Sequence, residues 1–273
     1  MLSLLKKFND NSKRISIKSK KSTIGSGTKK GIRILAYGDS YTAGWHNNGN
    51  SMTPYAPVLE KELQRLIDND NYYNNTKVVV RHRGLSGWSA RDMVQISDKE
   101  NIGLGALLDE AQERMISTES STNSTNSTNS TKSTSPTNST NQEHDNSFIT
   151  VCIIMVGTND IGRMIQSKET HEDIYNHIIK LHDIAHKKGV YTISLDIPPN
   201  KSSYFEINNR LQNDNTEMRI HVKFPDSLIN DSQVWDDMDG LHMTNYGYNQ
   251  FGKNIASEIH NALKNLGIIS QNI

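Results

Sequence analysis

The chain has a single cysteine in 273 residues. Cys152 therefore has no internal disulfide partner, a usage that fits a reducing compartment. It lies inside an apolar run, where a thiol packs as a small inert hydrophobe rather than serving as a nucleophile. Long apolar stretches are missing too. Nothing approaches the roughly 18–20 apolar residues of a membrane-crossing helix, so stable membrane insertion is not expected. Met1 to Leu5 is too short for the apolar segment of a secretory signal. Net charge is also absent, with Lys plus Arg at 30 and Asp plus Glu at 30. No global field argues for a nucleic-acid partner.

What charge there is lies unevenly. The first 33 residues carry ten lysines and arginines against one acid, Asp10. This Ser- and Lys-rich stretch lacks sustained periodicity and ends in Gly25-Ser26-Gly27-Thr28, a flexible lead-in. It reads as a disordered basic tail over 1–30 on a cytoplasmic protein, or as a mitochondrial presequence. The scarcity of arginine favours the tail. Contact with an anionic membrane surface is a weaker reading, because the segment has no clear apolar face. A second compositional break runs from Ser117 to Ser147, built from Asn, Ser and Thr. Such a tract has almost nothing to bury and is expected to be disordered. Its Asn-x-Ser/Thr triplets would accept glycans only on a secreted chain. We take it as a low-complexity insertion in a surface loop of one domain spanning 31–268. Such an insertion costs little stability, since loop-closure entropy grows slowly with length.

The remainder alternates strand and helix signals. Ile32 to Tyr37 is a short apolar run that breaks at Gly38-Asp39-Ser40. Residues 54–68 have helical spacing, with Thr53 as the expected N-cap and Pro54 at the first helical position. Val78-Val79-Val80 begins a second strand and leads into Arg83-Gly84-Leu85-Ser86-Gly87-Trp88. A helical segment runs from about Leu104 to Ile116. Phe148 to Val156 is the most apolar run, rich in β-branched residues, and reads as a central strand ending in Gly157-Thr158-Asn159-Asp160. A helix over roughly 170–187, a strand over 190–197, a polar helical excursion over 201–215 and a fifth strand over 219–222 follow. The stripe Tyr248, Phe251, Ile255, Ile259, Leu263 marks a closing helix. The alternation implies a parallel sheet covered on both faces.

Ligands of such sheets gather beyond the carboxyl ends of the strands. Four polar segments fall there: Ser40, the Gly87 backbone, the Asn159 side chain, and Asp239 with His242. Acyl transfer needs a hydroxyl nucleophile, a base, a carboxylate to orient the base, and donors for an oxyanion. Each role has a candidate. Asp239 and His242 are three apart, which in a helical turn places them on one face and lets the carboxylate reach the ring N–H. Ser40 N–H, Gly87 N–H and the Asn159 amide are plausible oxyanion donors. The blander alternative at Ser40 is a serine that merely caps a helix.

Gly38-Asp39-Ser40 with Thr42 and Gly44, then Gly87, then Gly157-Thr158-Asn159-Asp160, then Asp239-Gly240-Leu241-His242, resembles the SGNH (GDSL-type) hydrolase family in content and order. The likeness spans roughly Ile32 to Leu266. It implies a three-layer α/β/α flavodoxin-like sandwich with a central, mostly parallel five-stranded sheet. It also implies hydrolysis of small-molecule carboxylic esters without a metal or cofactor. On that resemblance Ser40 is nucleophile and oxyanion donor, Gly87 and Asn159 are further donors, His242 is the base and Asp239 its partner. Tyr41 departs from the commonest form of the motif, which has leucine. Its side chain is expected at the core or the pocket rim. Gly84 is a rival for Gly87, although Ser86-Gly87 suits the family's glycine better.

Three other readings compete. His182 and His186, four apart on a helix, have the spacing of a zinc pair. Without a third ligand they read as solvent-facing. A carbohydrate- or lipid-binding module could keep the fold without turnover, and an acyltransferase would use the same residues.

Overall fold

The computed structural model describes residues 31–70, 76–122, 149–198, 204–236 and 238–269. The basic tail and most of the Asn/Ser/Thr tract lie outside the described residues.

The chain opens with β1 (Gly31–Gly38) and α1 (Ser40–Ala43). A two-stranded ribbon, β2 (Trp45–His46) and β3 (Ser51–Met52), comes next. It is followed by α2 (Ala56–Asp68), β4 (Lys77–Gly84), α3 (Ala90–Gln95) and α4 (Leu104–Thr122). Then come β5 (Val151–Met155), α5 (Thr158–Ser167), α6 (His171–Lys187), β6 (Tyr191–Leu195) and α7 (Tyr204–Asn213). β7 (Arg219–Val222), α8 (Asp226–Ile229) and α9 (Asn245–Asn265) complete the order.

The main sheet has the order β4-β1-β5-β6-β7 with every pair parallel. β1 and β5 lie at its centre and are buried along nearly their whole length. That is why they read as unbroken apolar runs rather than as alternating ones. Alternate side chains feed two cores. Ile34, Ala36, Ile153 and Met155 pack with α2 and α9. Leu35, Tyr37, Cys152 and Ile154 pack with α3, α4, α6 and α7. Helices thus cover both faces, giving the three-layer architecture the sequence implies.

From β1 the chain crosses to β4 on one side and later returns to β5 on the other. The turns leaving neighbouring strands therefore diverge and open a crevice at the carboxyl edge beside β1. This order is the flavodoxin-like one once the small ribbon is set aside.

Several local expectations are corrected. α2 begins at Ala56 with Tyr55 at its N-cap, not at Thr53-Pro54. Thr53 is already engaged: its N–H donates to the Gly44 carbonyl at 2.7 Å, and its hydroxyl lies 3.0 Å from His46 Nε2. The polar stretch over 47–53 contains β3 of the ribbon. β4 runs on to Gly84, and α3 and α5 are additional helices. α4 continues to Thr122, beyond the Ile116 end expected from composition and into the start of the Asn/Ser/Thr tract.

Candidate active site

The turn after β1 is held by contacts that only glycine permits at Gly38. A Cβ there would come 2.0 Å from the Met155 carbonyl oxygen and 2.4 Å from Thr42 Oγ1. Asp39, not Ser40, caps α1, accepting the Tyr41 N–H at 3.1 Å. Ser40 is the first residue of the helix, with its amide among those that lack intrahelical partners. Its side chain is left to other work.

Hydrogen bonds tie the neighbouring loops to this turn. Leu85 N–H donates to the Gly38 carbonyl at 2.7 Å, and Asp39 N–H donates to Met155 at 3.3 Å. Trp88 N–H returns to the Leu85 carbonyl at 3.1 Å, closing a turn with Gly87 at its third position and φ +80°. That φ is the one a type II turn demands and glycine supplies without strain. The two candidate glycines differ in kind. A Cβ on Gly84 would strike the Ala43 amide nitrogen at 2.1 Å, so Gly84 serves close packing, whereas beside Gly87 there is open space.

The segment bearing Asp239 and His242 is an irregular loop, not the helical turn expected from their spacing. One carboxylate builds it. Asp239 Oδ1 accepts the amides of Leu241 at 2.8 Å and His242 at 2.9 Å, while Oδ2 lies 2.7 Å from His242 Nδ1. His242 Nε2 lies 2.8 Å from Ser40 Oγ. The series Asp239–His242–Ser40 is therefore continuous, with Ser40 5% and His242 9% exposed. Partial burial alone would raise the Asp239 pKa. The amides of His242 and Leu241 and the His242 ring outweigh it and hold the carboxyl below the usual range.

Two aromatic residues bracket the imidazole. The Trp45 ring centroid is 4.2 Å from that of His242 and the Tyr41 centroid 5.4 Å. The buried Tyr41 hydroxyl donates to the Leu241 carbonyl, tying α1 to the histidine loop. Tyr248 on α9 donates to the Trp45 carbonyl at 2.9 Å. Asn47 N–H donates to Asp236 at 3.0 Å, so the ribbon also rests on that loop.

On the other side, α5 presents three anchors to the Leu85–Asp92 segment. Asn159 Nδ2 donates to the Trp88 carbonyl at 3.0 Å. Asp160 accepts the amides of Ala90 at 2.8 Å and Arg91 at 3.4 Å. Arg163 donates to the Gly87 carbonyl at 2.6 Å and pairs with Asp92 at 3.1 Å. Beneath the site, burial pushes Asp39 up to about 7, opposed by the Tyr41 amide and reinforced by the charge of Asp160. Burial likewise raises Asp160 to about 6 against the pull of the Ala90 and Arg91 amides.

A second Ser–His–Asp arrangement exists in the molecule. Ser194 Oγ lies 2.9 Å from His221 Nδ1, and His221 Nε2 lies 2.9 Å from Asp196 Oδ1. Ser194 is fully buried within β6, so a substrate has no approach to it. The group serves as a strap between β6 and β7. His182 corrects the expectation of a solvent-facing pair, for it is 0% exposed, and His186 is partly buried with Nε2 2.8 Å from Thr192 Oγ1. The 174–178–181–185 stripe of α6 is wide enough to carry position 182 inward with it. Cys152 is buried, and burial pushes its thiol far up. Among the described residues no group of three or more His, Cys, Asp or Glu side chains is placed to hold a metal ion.

The sequence model of the GDSL-like lipase/acylhydrolase family matches residues 36–250. The chain belongs to that family. The match runs from β1 into α9 and so includes all the segments that meet at this crevice. Among solved structures, a lipase/acylhydrolase from Enterococcus faecalis shares 16% identity, with 85% of this chain and 96% of that one covered at a TM-score of 0.50. The psychrotrophic esterase EstA from Pseudoalteromonas sp., inhibited by monoethylphosphonate, shares 14% over 85% and 98% at 0.50. A carbohydrate esterase family 3 protein from Talaromyces cellulolyticus shares 12% over 85% and 98% at 0.50. At these identities the likeness establishes a shared fold. A search of curated proteins finds no match.

Within the GDSL-like framework, Trp45, Asp92 and Arg163 were not expected from sequence. Arg163 had a usable signal, since it follows Asn159 by four residues and shares its face once α5 is recognised as a helix.

Proposed function

We propose that this family member is a serine esterase that hydrolyses small carboxylic esters through an acyl-enzyme. The observation that carries the reading is the 2.8 Å approach of Ser40 Oγ to His242 Nε2, with Asp239 at 2.7 Å from the opposite ring nitrogen. With Nδ1–H donated to Asp239, Nε2 is the acceptor for the Ser40 hydroxyl proton. Ser40 Oγ attacks the ester carbonyl as that proton moves to His242. The imidazolium then returns it to the leaving alkoxide. A water molecule, deprotonated by the same nitrogen, releases the acid and restores Ser40.

The oxyanion is received by Ser40 N–H, Gly87 N–H and Asn159. In Asn159 one amide hydrogen is given to Trp88, which sets the plane of the group and leaves the other hydrogen for a ligand. Removal of one such donor typically costs about 3–4 kcal/mol in the barrier.

The test is hydrolysis of p-nitrophenyl acetate and longer acyl esters, with stoichiometric labelling by a serine-directed phosphonate. Ser40→Ala and His242→Ala should each fall to near background, and Ser40→Ala should lose the label. A folded wild-type protein that neither turns over these esters nor takes the label would reject the reading.

A further inference from the structure

We infer that Arg163 is a positioning residue for the oxyanion site, acting through the backbone of Gly87. The inference rests on the esterase reading and adds to it a group that no motif assigns.

The argument begins with what does not hold Gly87. A Cβ built on it meets nothing within 4 Å, so no neighbouring atom packs against that side of the turn. Glycine at φ +80° is also the residue with the most conformational freedom to lose. The position of its amide therefore depends on hydrogen bonds along the turn. There are four: Trp88 N–H to Leu85, which closes the turn, Leu85 N–H to Gly38, Asn159 to the Trp88 carbonyl, and Arg163 to the carbonyl of Gly87 itself. Only the last bears directly on the residue whose amide faces the oxyanion.

The guanidinium suits the task. Its Nη2 donates to Gly87 while Nη1 pairs with Asp92. Asp92 is itself fixed, because it completes the capping box of α3 with Ser89. The planar fork thus spans two points on one rigid segment, and a charge-assisted bond to a carbonyl is stronger than a neutral one. Because Asn159 and Arg163 lie one helical turn apart, α5 sets both the Asn159 donor and the Gly87 backbone from a single surface. A lysine ammonium at position 163 would be a point charge able to keep one of the two contacts in good geometry.

The experiment compares full-length wild type, Arg163→Met, Arg163→Lys and Arg163→Ala with p-nitrophenyl acetate, alongside Ser40→Ala. For Arg163→Met, kcat should fall about 10- to 100-fold, less than or comparable to outright loss of a donor. KM should change by less than about twofold, as expected when an interaction serves the transition state. Phosphonate labelling should slow by a similar factor, since the phosphoryl oxygen occupies the same site. Arg163→Lys should retain more activity than Arg163→Met. Added guanidinium should restore kcat to Arg163→Ala but not to Ser40→Ala.

With an active wild type, unchanged kcat in Arg163→Met overturns the inference and leaves the esterase reading standing. So does a loss that follows only the fraction of folded protein and is not rescued by guanidinium. An inactive, unlabelled wild type removes both.

Discussion

The hydroxyl of Tyr41 donates to the carbonyl of Leu241, joining residues 200 positions apart in the sequence. One end lies beside Ser40 and the other beside His242. The bond therefore sets the spacing of the proposed nucleophile and base independently of their own contact.

Tyr41→Phe removes that bond while keeping the ring against His242. Loss of a buried hydrogen bond costs about 1 kcal/mol, so the melting temperature should drop by a few degrees. Misplacement of the imidazole should lower kcat severalfold with little change in KM. Thermal melts with ester kinetics on the same preparation check this. Unchanged values of both would assign the bond no role.

Asp239→Asn separates the two tasks of one carboxylate. The asparagine oxygen can still accept the Leu241 and His242 amides, but its NH2 group cannot accept the ring N–H. Folding should be retained while kcat falls about 10²- to 10⁴-fold, as when a triad carboxylate is replaced. Asp239→Ala should lose stability as well, because the loop then lacks its organiser. Equal melting losses in the two variants would contradict this division.

Asp39 predicts an unusual pH dependence. Its folded pKa, about 7, is raised above that of an ordinary carboxyl. From roughly pH 4 to 7 the unfolded chain gives up this proton while the folded chain keeps it, so Asp39 loses stability to the protein as pH rises. Asparagine retains cap competence without the charge. The stability of Asp39→Asn relative to wild type should therefore increase between pH 4 and pH 8. Urea melts across that range read it, and a constant difference would count against the buried carboxyl.

His182 works in the opposite direction. Burial holds it well below the usual imidazole range, with Arg219, His186 and His221 adding to the effect. A depressed base contributes stability above pH 6.5 that is lost as pH falls below it. His182→Leu should flatten that acid loss, whatever it does at neutral pH. Melting curves between pH 4 and pH 7.5 are the measurement.

Deletion of residues 124–146 should leave fold and activity nearly unchanged. α4 carries the chain away from the carboxyl edge, and β5 begins at the opposite edge, so both attachment points are remote from Ser40. The observed end of α4 at Thr122 moves the safe boundary later than composition alone would place it. A large fall in melting temperature would show that the tract has a structural part.

The sheet was legible because its central strands are buried on both faces, which leaves unbroken runs such as Val151–Met155. Three of the four polar segments were legible because parallel strands deliver their turns to one edge; the fourth, Asp239 to His242, lies between α8 and α9 and stood out as the polar lead-in to the closing helix. What escaped was set by tertiary contact. The Asp239–His242 spacing suggested a helical turn, but Asp239 folds a loop around its own carboxylate instead. Thr53 looked like a helix cap, yet the ribbon had already taken its amide and hydroxyl. His182 looked exposed because periodicity marks the middle of an apolar face better than its margin. Trp45 carried no motif, and its place against His242 depends on a ribbon whose strands are two residues each.

Ser40 and His242 are contributed 202 residues apart, the first near the start of the fold and the second just before its final helix. During synthesis the proposed nucleophile leaves the ribosome long before its proposed base. A product broken off anywhere ahead of position 242 would carry an alcohol no more reactive than that of free serine. Premature termination or C-terminal proteolysis ahead of His242 should thus yield fragments without the proposed esterase activity.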